Sequence, residues 1–230
     1  MKSKIFEIFR SVQGEGKYLG IPQVFVRFYG CNIKCCWCDT QASLGQEEKD
    51  KFKEYSSQSL IEAVLKEVKS IHSVSLTGGE PLLQKDFLKD FLPLLKQKGL
   101  LSYLETNGIL FSSLKEIIDY VDFISMDFKL PSSTGQKEYW KEHETFLNIA
   151  LKKDVFIKCV ISCRTTPEDI LLAAKLASKV NRDIVFILQP NTLEIQSGAI
   201  GQCQKFQEIC SKYLTDVRII PQVHKIIGVR

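Results

Sequence analysis

The chain has 230 residues, of which 44% are hydrophobic and 25% charged, a composition that suits one globular domain with a sizeable buried core. Its 31 Lys and Arg against 27 Asp and Glu leave a net charge of +4, too mild to argue for nucleic acid or an anionic membrane as a partner, and no basic run supports either. No apolar stretch reaches the length of a membrane span, and residues 1–5 lack the apolar centre and cleavage site of an export signal, so the expected location is the cytoplasm.

In chain order, residues 24–28 are β-branched and aromatic and predict a strand ending at Gly30. Ser59 to Glu62 reads as a capping box, with Leu60, Val64 and Val68 as the apolar stripe of a helix. A strand over 72–77 runs into Gly78 and Gly79, and a helix over 86–98 stops at Gly99. A strand over 100–105 leads to Thr106, Asn107 and Gly108, followed by a helix over 113–120 and a strand over 123–127. A helix over 136–151 then precedes a strand over 155–161. Thr166 and Pro167 open a helix to about 179, with Pro at the first helical position. A strand over 184–188, a helix over 201–213 and a strand over 217–220 complete the pattern.

Alternating strands and helices imply right-handed crossovers and a mostly parallel sheet. About six such units fall short of eight, so the expected fold is α/β, a partial, open (β/α) barrel; a doubly wound sheet fits the same pattern. Either arrangement puts its chemistry at the C-terminal ends of the strands. The unusual residues fall there: Cys31, the Gly78-Gly79-Glu80 turn, and Glu105 to Gly108.

Four of the eight cysteines, Cys31, Cys35, Cys36 and Cys38, lie within eight residues. Local clustering points to metal rather than to a disulfide framework, whereas Cys159, Cys163, Cys203 and Cys210 are scattered and read as ordinary buried or half-buried thiols. The Cys-x3-Cys-x2-Cys spacing lets Cys31, Cys35 and Cys38 wrap one cubane cluster and leave one iron open, which is a catalytic feature. A structural zinc module using Cys36 as well is the competing reading. Zinc sites usually pair two separated Cys/His couples, and no second couple lies nearby, so Cys36 is read as a bystander.

The cysteine loop after a first strand and Thr77-Gly78-Gly79-Glu80-Pro81 after the second resemble the radical S-adenosylmethionine superfamily, over essentially the whole chain. The resemblance implies one radical SAM domain over 1–230 with its cluster loop at 30–40. It also implies a 4Fe-4S cluster on Cys31, Cys35 and Cys38, and S-adenosylmethionine held by its methionine end against Gly78, Gly79 and Glu80. Phe9 to Gly20, with its Gln13-Gly14-Glu15-Gly16 core, together with Trp37-Cys38-Asp39-Thr40 and the ending Pro221 to Lys225, is similar to the 7-carboxy-7-deazaguanine synthase family. That resemblance implies a lyase, in which a 5′-deoxyadenosyl radical starts the conversion of 6-carboxy-5,6,7,8-tetrahydropterin to 7-carboxy-7-deazaguanine and ammonia. The product feeds the 7-deazaguanine nucleosides of tRNA, queuosine or archaeosine.

For that reaction the expected substrate contacts are Val12, Gln13, Gly14, Glu15, Thr77 and Arg27, the last as a bidentate partner for the substrate carboxylate. Thr40 is expected to hold Mg²⁺, a hard ion that favours oxygen. Further cofactor contacts are expected from Trp37, Cys38 and Asp39, from Glu105, and from the strand ends Ser125, Met126, Asp127 with Lys129 beyond. Gln189, Pro190, Asn191 and Thr192 complete that set, with His224 a weaker candidate near the substrate. The implied partners are an electron donor such as flavodoxin or ferredoxin and a second copy of the chain as homodimer, without direct contact to nucleic acid or membrane. The nearest alternative is an activating enzyme that generates a glycyl radical on a partner protein, which lacks the pairing of Gln-Gly-Glu-Gly with Cys-Asp-Thr.

Overall fold

Strands form wherever β-branched and aromatic residues cluster, and helices carry the apolar stripes between them. The computed structural model describes residues 1–44 and 52–229. A long strand β1 (Lys2–Val12) runs antiparallel to β2 (Pro22–Phe28) and, on its other side, to the short β3 (Lys53–Ser56). The alternation then begins: α1 (Ser57–Glu67), β4 (Ser73–Gly78), α2 (Lys85–Gln97), β5 (Ser102–Thr106), α3 (Phe111–Ile117) and β6 (Phe123–Asp127). The rest comprises α4 (Pro131–Thr134), α5 (Trp140–Ala150), β7 (Asp154–Ile161), α6 (Pro167–Val180), β8 (Phe186–Pro190), α7 (Ile200–Cys210), β9 (Val217–Ile219) and α8 (Val223–Ile227). The strand order is β3-β1-β2-β4-β5-β6-β7-β8-β9, parallel from β2 through β9. The sheet is open, as the strand pattern predicts.

Three details differ from the sequence reading. Strands β1 and β3 extend the sheet beyond the parallel run. Helix α1 starts three residues earlier than the capping box suggests: Ser56 is its N-cap and accepts from the Ser59 N–H at 3.1 Å. The helix expected over 136–151 is confined to α5, because Gly135, at φ 72°, closes the separate turn α4 before it.

The parallel strands β4 to β8 are buried on both faces, as crossover helices on one side and a filled interior on the other require. Alternate residues therefore serve different surroundings. On β7, Val155, Ile157, Cys159 and Ile161 join the helix-side core, while Phe156, Lys158 and Val160 face the other way. The same parity puts Leu104, Ile124 and Met126 among the helices and Tyr103, Glu105, Ser125 and Asp127 on the inner side.

Residues 13–21 fill that inner side. Gln13 Nε2 donates to Glu105 Oε1 on β5 and to Gln23 Oε1 on β2, each at 3.0 Å. The Tyr18 ring packs on Phe123 of β6 at 4.9 Å and edge-on to Tyr103 of β5, and its hydroxyl donates to Asp154 of β7 at 2.5 Å. Strands lie about 4.8 Å apart, so a flat sheet from β2 to β7 would span roughly 19 Å. One short loop reaches these strands because the sheet curves around it.

Of the other cysteines, Cys159, Cys203 and Cys210 are buried in the helix-side core, whereas Cys163 is exposed. His143 on α5 is also fully buried, stacked on Phe128 at 4.7 Å, with Nε2 donating to the Asn107 carbonyl at 3.1 Å and Nδ1 without a partner. Burial pushes its pKa down to about 4, against the hydrogen bond to Asn107 and the charge of Asp127, and with the charge of Lys129. Between pH 6.5 and 4 the unfolded chain takes up the proton that the folded chain refuses, so stability is intact above that window and falls as pH drops through it, by about 1.4 kcal/mol per unit. In His143→Phe this loss disappears: thermal melts should show the variant gaining on wild type from pH 7 to pH 4.5. Parallel curves would show that the histidine is not the acid-sensitive group.

Candidate active site

The C-terminal ends of the parallel strands border a single cavity with the loop 12–15, the cysteine loop and the C-terminal segment. The cysteine loop leaves β2 through Gly30, at φ 101°. Cys35 is buried with Ile33, Ile109 and Tyr139, and Cys31, Trp37 and Cys38 pack against that cluster. Cys31, Cys35 and Cys38 all border the cavity. Burial raises the pKa of all three thiols, that of Cys35 to about 11, while the Lys129 ammonium pulls each back toward the thiolate. Lys129 Nζ sits 4.9 Å over the Trp37 ring and 2.8 Å from Asp127 Oδ2.

Cys36 departs from its neighbours. It is exposed, with Sγ 3.4 Å from the Ser133 carbonyl oxygen and its N–H donated to Thr134 O. Trp37 Nε1 also donates to Ser133 O, at 2.7 Å, anchoring that side of the loop on α4. Among the described residues no three His, Cys, Asp or Glu side chains converge on a point fit for a single metal ion. Three thiols spread along one cavity wall, with the fourth turned away, suit a multi-iron cluster with one open iron.

The Gly78-Gly79-Glu80 turn packs on the end of β2 and is tied to the end of β5. A Cβ on Gly79 would lie 1.9 Å from Gly30 O, and one on Gly78, at φ 124°, would lie 2.3 Å from Phe28 O. Both glycines border the cavity, but the space gained by lacking a side chain is filled by the backbone leaving β2. The Glu80 carboxylate turns away from the cavity. It accepts from Leu82 N (3.1 Å), Thr106 Oγ1 (2.9 Å) and Asn107 N (2.8 Å), stitching the β4 turn to the end of β5. Burial raises its pKa to about 7 despite those donors. Asn107 Nδ2 in turn donates to Asn32 Oδ1 at 2.8 Å, so the stitch reaches the cysteine loop.

Met126 lies in the helix-side core and Pro190 is buried away from the cavity, whereas Ser125, Asp127, Gln189, Asn191 and Thr192 border it. Asp127 Oδ1 and Gln189 Oε1 are buried acceptors without a hydrogen-bond partner.

Val12, Gln13, Gly14, Glu15, Arg27, Asp39, Thr40, Thr77 and Glu105 border the same cavity. The Gln13 amide is spent on Glu105, Gln23 and the Glu15 N–H, so it shapes the loop. Thr77 Oγ1 donates to Glu105 Oε2 at 3.0 Å. Arg27 lies on an interior strand, its Nε donating to Glu7 Oε1 at 2.8 Å and its guanidinium 5.9 Å from the Phe9 ring. Thr40 Oγ1 donates to Asp39 Oδ1 at 3.0 Å.

Sequence reasoning left the C-terminal segment open and missed Lys158, Gln222 and Lys225. Gln222 Nε2 donates to Glu15 Oε1 (2.6 Å) and Asp39 Oδ2 (3.1 Å), and its Oε1 accepts from Thr192 Oγ1 (2.5 Å). Lys225 Nζ lies 2.8 Å from Asp39 Oδ2. Burial opposes the charged form of Asp39, but Lys225 and Gln222 hold its pKa well below the usual carboxylate range. His224 packs over Gly14, where a Cβ would lie 2.1 Å from Nδ1. Lys158 bonds Glu15 Oε2 and lies 3.6 Å from Asp127 Oδ2. Parity along β7 signals it: a lysine in step with inner-facing Phe156.

A fold with its cysteine loop and glycine turn at adjacent strand ends defines a class of enzymes, and the sequence profile of the Radical SAM superfamily matches residues 25–188. The 7-carboxy-7-deazaguanine synthase of Geobacter sulfurreducens is 39% identical over 98% of this chain and 97% of its own, and that of Methanocaldococcus jannaschii 34% identical over 97% and 99%. The crystal structure of QueE from Escherichia coli shares the fold with a TM-score of 0.65 at 24% identity, over 96% of this chain and 94% of that one. The chain belongs to the radical SAM superfamily and, within it, to the 7-carboxy-7-deazaguanine synthase family.

Gly79→Ala tests the packing of the two strand-end turns. Its methyl group meets backbone rather than a yielding side chain, so a loss of about 3 kcal/mol is expected, read as a fall in Tm. An unchanged Tm would mean that the turns are not in contact.

Proposed function

We propose that the cavity binds S-adenosylmethionine and a 4Fe-4S cluster on its cysteine side and 6-carboxy-5,6,7,8-tetrahydropterin on its Glu15–Arg27 side, and forms 7-carboxy-7-deazaguanine and ammonia. The observation that carries this reading is that three cysteine thiols, the half-buried Glu15 carboxylate and the half-buried Arg27 guanidinium border one cavity. When bound, the cluster and S-adenosylmethionine supply the 5′-deoxyadenosyl radical that removes a hydrogen from the substrate.

The remaining work falls to the chain. Cys31, Cys35 and Cys38 hold the cluster, with Lys129 behind them as a buried cation. Gly78 and Gly79 offer backbone to the methionine end of the cofactor, and Asp127 Oδ1 and Gln189 Oε1 offer it unpaired acceptors. Trp37, Asp39, Ser125, Asn191 and Thr192 complete that wall. Glu15 accepts from the amino-amide edge of the pterin, and Arg27 pairs with its carboxylate, a task suited to a guanidinium already oriented by Glu7. The Thr40 hydroxyl would be the residue that holds Mg²⁺, which would supply a hard cation for oxygen groups of the substrate.

No helix among the described residues is long and apolar enough to cross a membrane. We place the enzyme in the cytoplasm as a homodimer reduced by a flavodoxin or ferredoxin, with its product entering queuosine or archaeosine biosynthesis. Turnover of the free pterin without a protein substrate separates this reading from the glycyl-radical alternative.

The test is anaerobic reconstitution followed by reduction with S-adenosylmethionine and the tetrahydropterin. Deazaguanine at many turnovers per cofactor is expected; cleavage to 5′-deoxyadenosine without deazaguanine would overturn the substrate assignment. Cys36→Ser should keep the iron content, while Cys31→Ser, Cys35→Ser or Cys38→Ser should each abolish turnover; an active variant among these three would show the ligands to be others. Arg27→Ala should raise KM at least tenfold, about 1.4 kcal/mol, with the cluster absorbance intact. Loss of the cluster in that variant would place Arg27 in the fold rather than at the substrate.

A further inference from the structure

We infer that Lys158 is a positioning residue for the reaction, acting through Glu15 to present a fixed, ionised carboxylate at the substrate end of the cavity. The inference rests on the reading of Glu15 as the acceptor for the pterin edge. Lys158 stands on β7, in line with Phe156 below and Val160 above, so its side chain rises from the inner face of the sheet. Its side chain is 11% exposed and that of Glu15 18%. Its ammonium bonds Glu15 Oε2 and approaches Asp127 Oδ2 at 3.6 Å.

Glu15 stands between Gly14 and Gly16, which pack against His224 and Phe156, and its N–H donates to Gln13 Oε1. Its two oxygens are held separately: Gln222 donates to Oε1 at 2.6 Å and Lys158 to Oε2. Burial works against its charged form and so does neighbouring Asp39, yet Lys158 and Gln222 outweigh both and keep its pKa below the ordinary value. Gln222 is neutral and lies just before the short helix α8, so Lys158 is the charge on a rigid element that fixes Glu15. Each carboxylate oxygen has a second lone pair, and those remain for the N–H donors of a bound ligand.

A lysine serving only as a core filler predicts lost stability without a selective effect on substrate. Positioning through Glu15 predicts an effect on KM that vanishes once Glu15 is neutral. The experiment is a double-mutant cycle on the reconstituted holoenzyme with Lys158→Met, Glu15→Gln and the pair, and Lys158→Arg as the charge-keeping control. Glu15→Gln is nearly isosteric and keeps the cycle readable if Lys158→Met folds poorly, since Lys158→Arg then carries the comparison.

The expected result is a KM for the tetrahydropterin raised roughly 30-fold in Lys158→Met, with kcat within threefold, as breaking a buried charge pair entails. The double variant should be no worse than Glu15→Gln alone, and Lys158→Arg should recover most of the loss. Cluster absorbance and the KM for S-adenosylmethionine should stay as in wild type. An unchanged KM in Lys158→Met, or effects of the two substitutions that multiply in the double variant, would overturn the inference while wild-type turnover upholds the substrate reading. A wild-type enzyme that does not convert the pterin would sink the substrate reading, and the inference with it. In that case a Tm coupling between positions 15 and 158 would still report the ion pair itself.

Discussion

Each parallel strand of this sheet has to satisfy two unlike surroundings at once. Toward the helices it meets close-packed hydrocarbon; toward the inside it meets a loop, a polar cavity and several charges. Period-two alternation is what permits this, and it fixes register strongly. A slip of one residue on β6 would drive Asp127 into the helix layer and Met126 into the cavity. A slip on β7 would bury Lys158 among helices with no carboxylate in reach. The cost of an unpaired buried charge runs to several kcal/mol, so the ion pairs on the inner face also penalise wrong registers.

Because the sheet does not close, its inside must be filled by something other than strands, and the loop 13–21 does it. The aromatic end of that loop is apolar work: Tyr18 packs edge-on to Tyr103 and Phe123 and tilted to His72, and Gly16 makes room for the Phe156 ring. Its other end is polar, with Gln13 tied to Glu105 and Glu15 to Lys158. The same short segment is thus a core plug at one end and a cavity wall at the other. Residues that shape this wall need not touch a ligand, and the fully committed amide of Gln13 is the example.

The parallel strands were legible because they are compact runs of β-branched and aromatic residues between helical stripes. Strand β1 was not, since Lys2, Lys4, Glu7 and Arg10 interrupt it and its partly exposed antiparallel pairing tolerates them. At the site, the cysteine spacing and the glycine turn are local signals and could be read directly. The side chain of Met126 packs toward the helices while its neighbours Ser125 and Asp127 border the cavity, a difference of face that strand-end position alone does not reveal. Lys158, Gln222 and Lys225 lie 143, 207 and 186 residues from their partners, so only topology brings them together.

The charges around the cavity are organised about one carboxylate. Asp127 ends β6 between two buried ammonium groups, 2.8 Å from Lys129 on the cysteine side and 3.6 Å from Lys158 on the Glu15 side. Both lysines compete for Oδ2, which leaves Oδ1 buried and without a partner. An acceptor in that state is costly in the empty protein unless something donates to it. Its neighbour across two strands, Gln189 Oε1, is in the same condition. The two acceptors therefore favour an occupant that brings hydroxyl or N–H donors to this wall. The lysines that hold Asp127 also steady the cysteine loop through Trp37 and the loop 12–15 through Glu15. Binding on one side of Asp127 is in this way built on the same charges that shape the other.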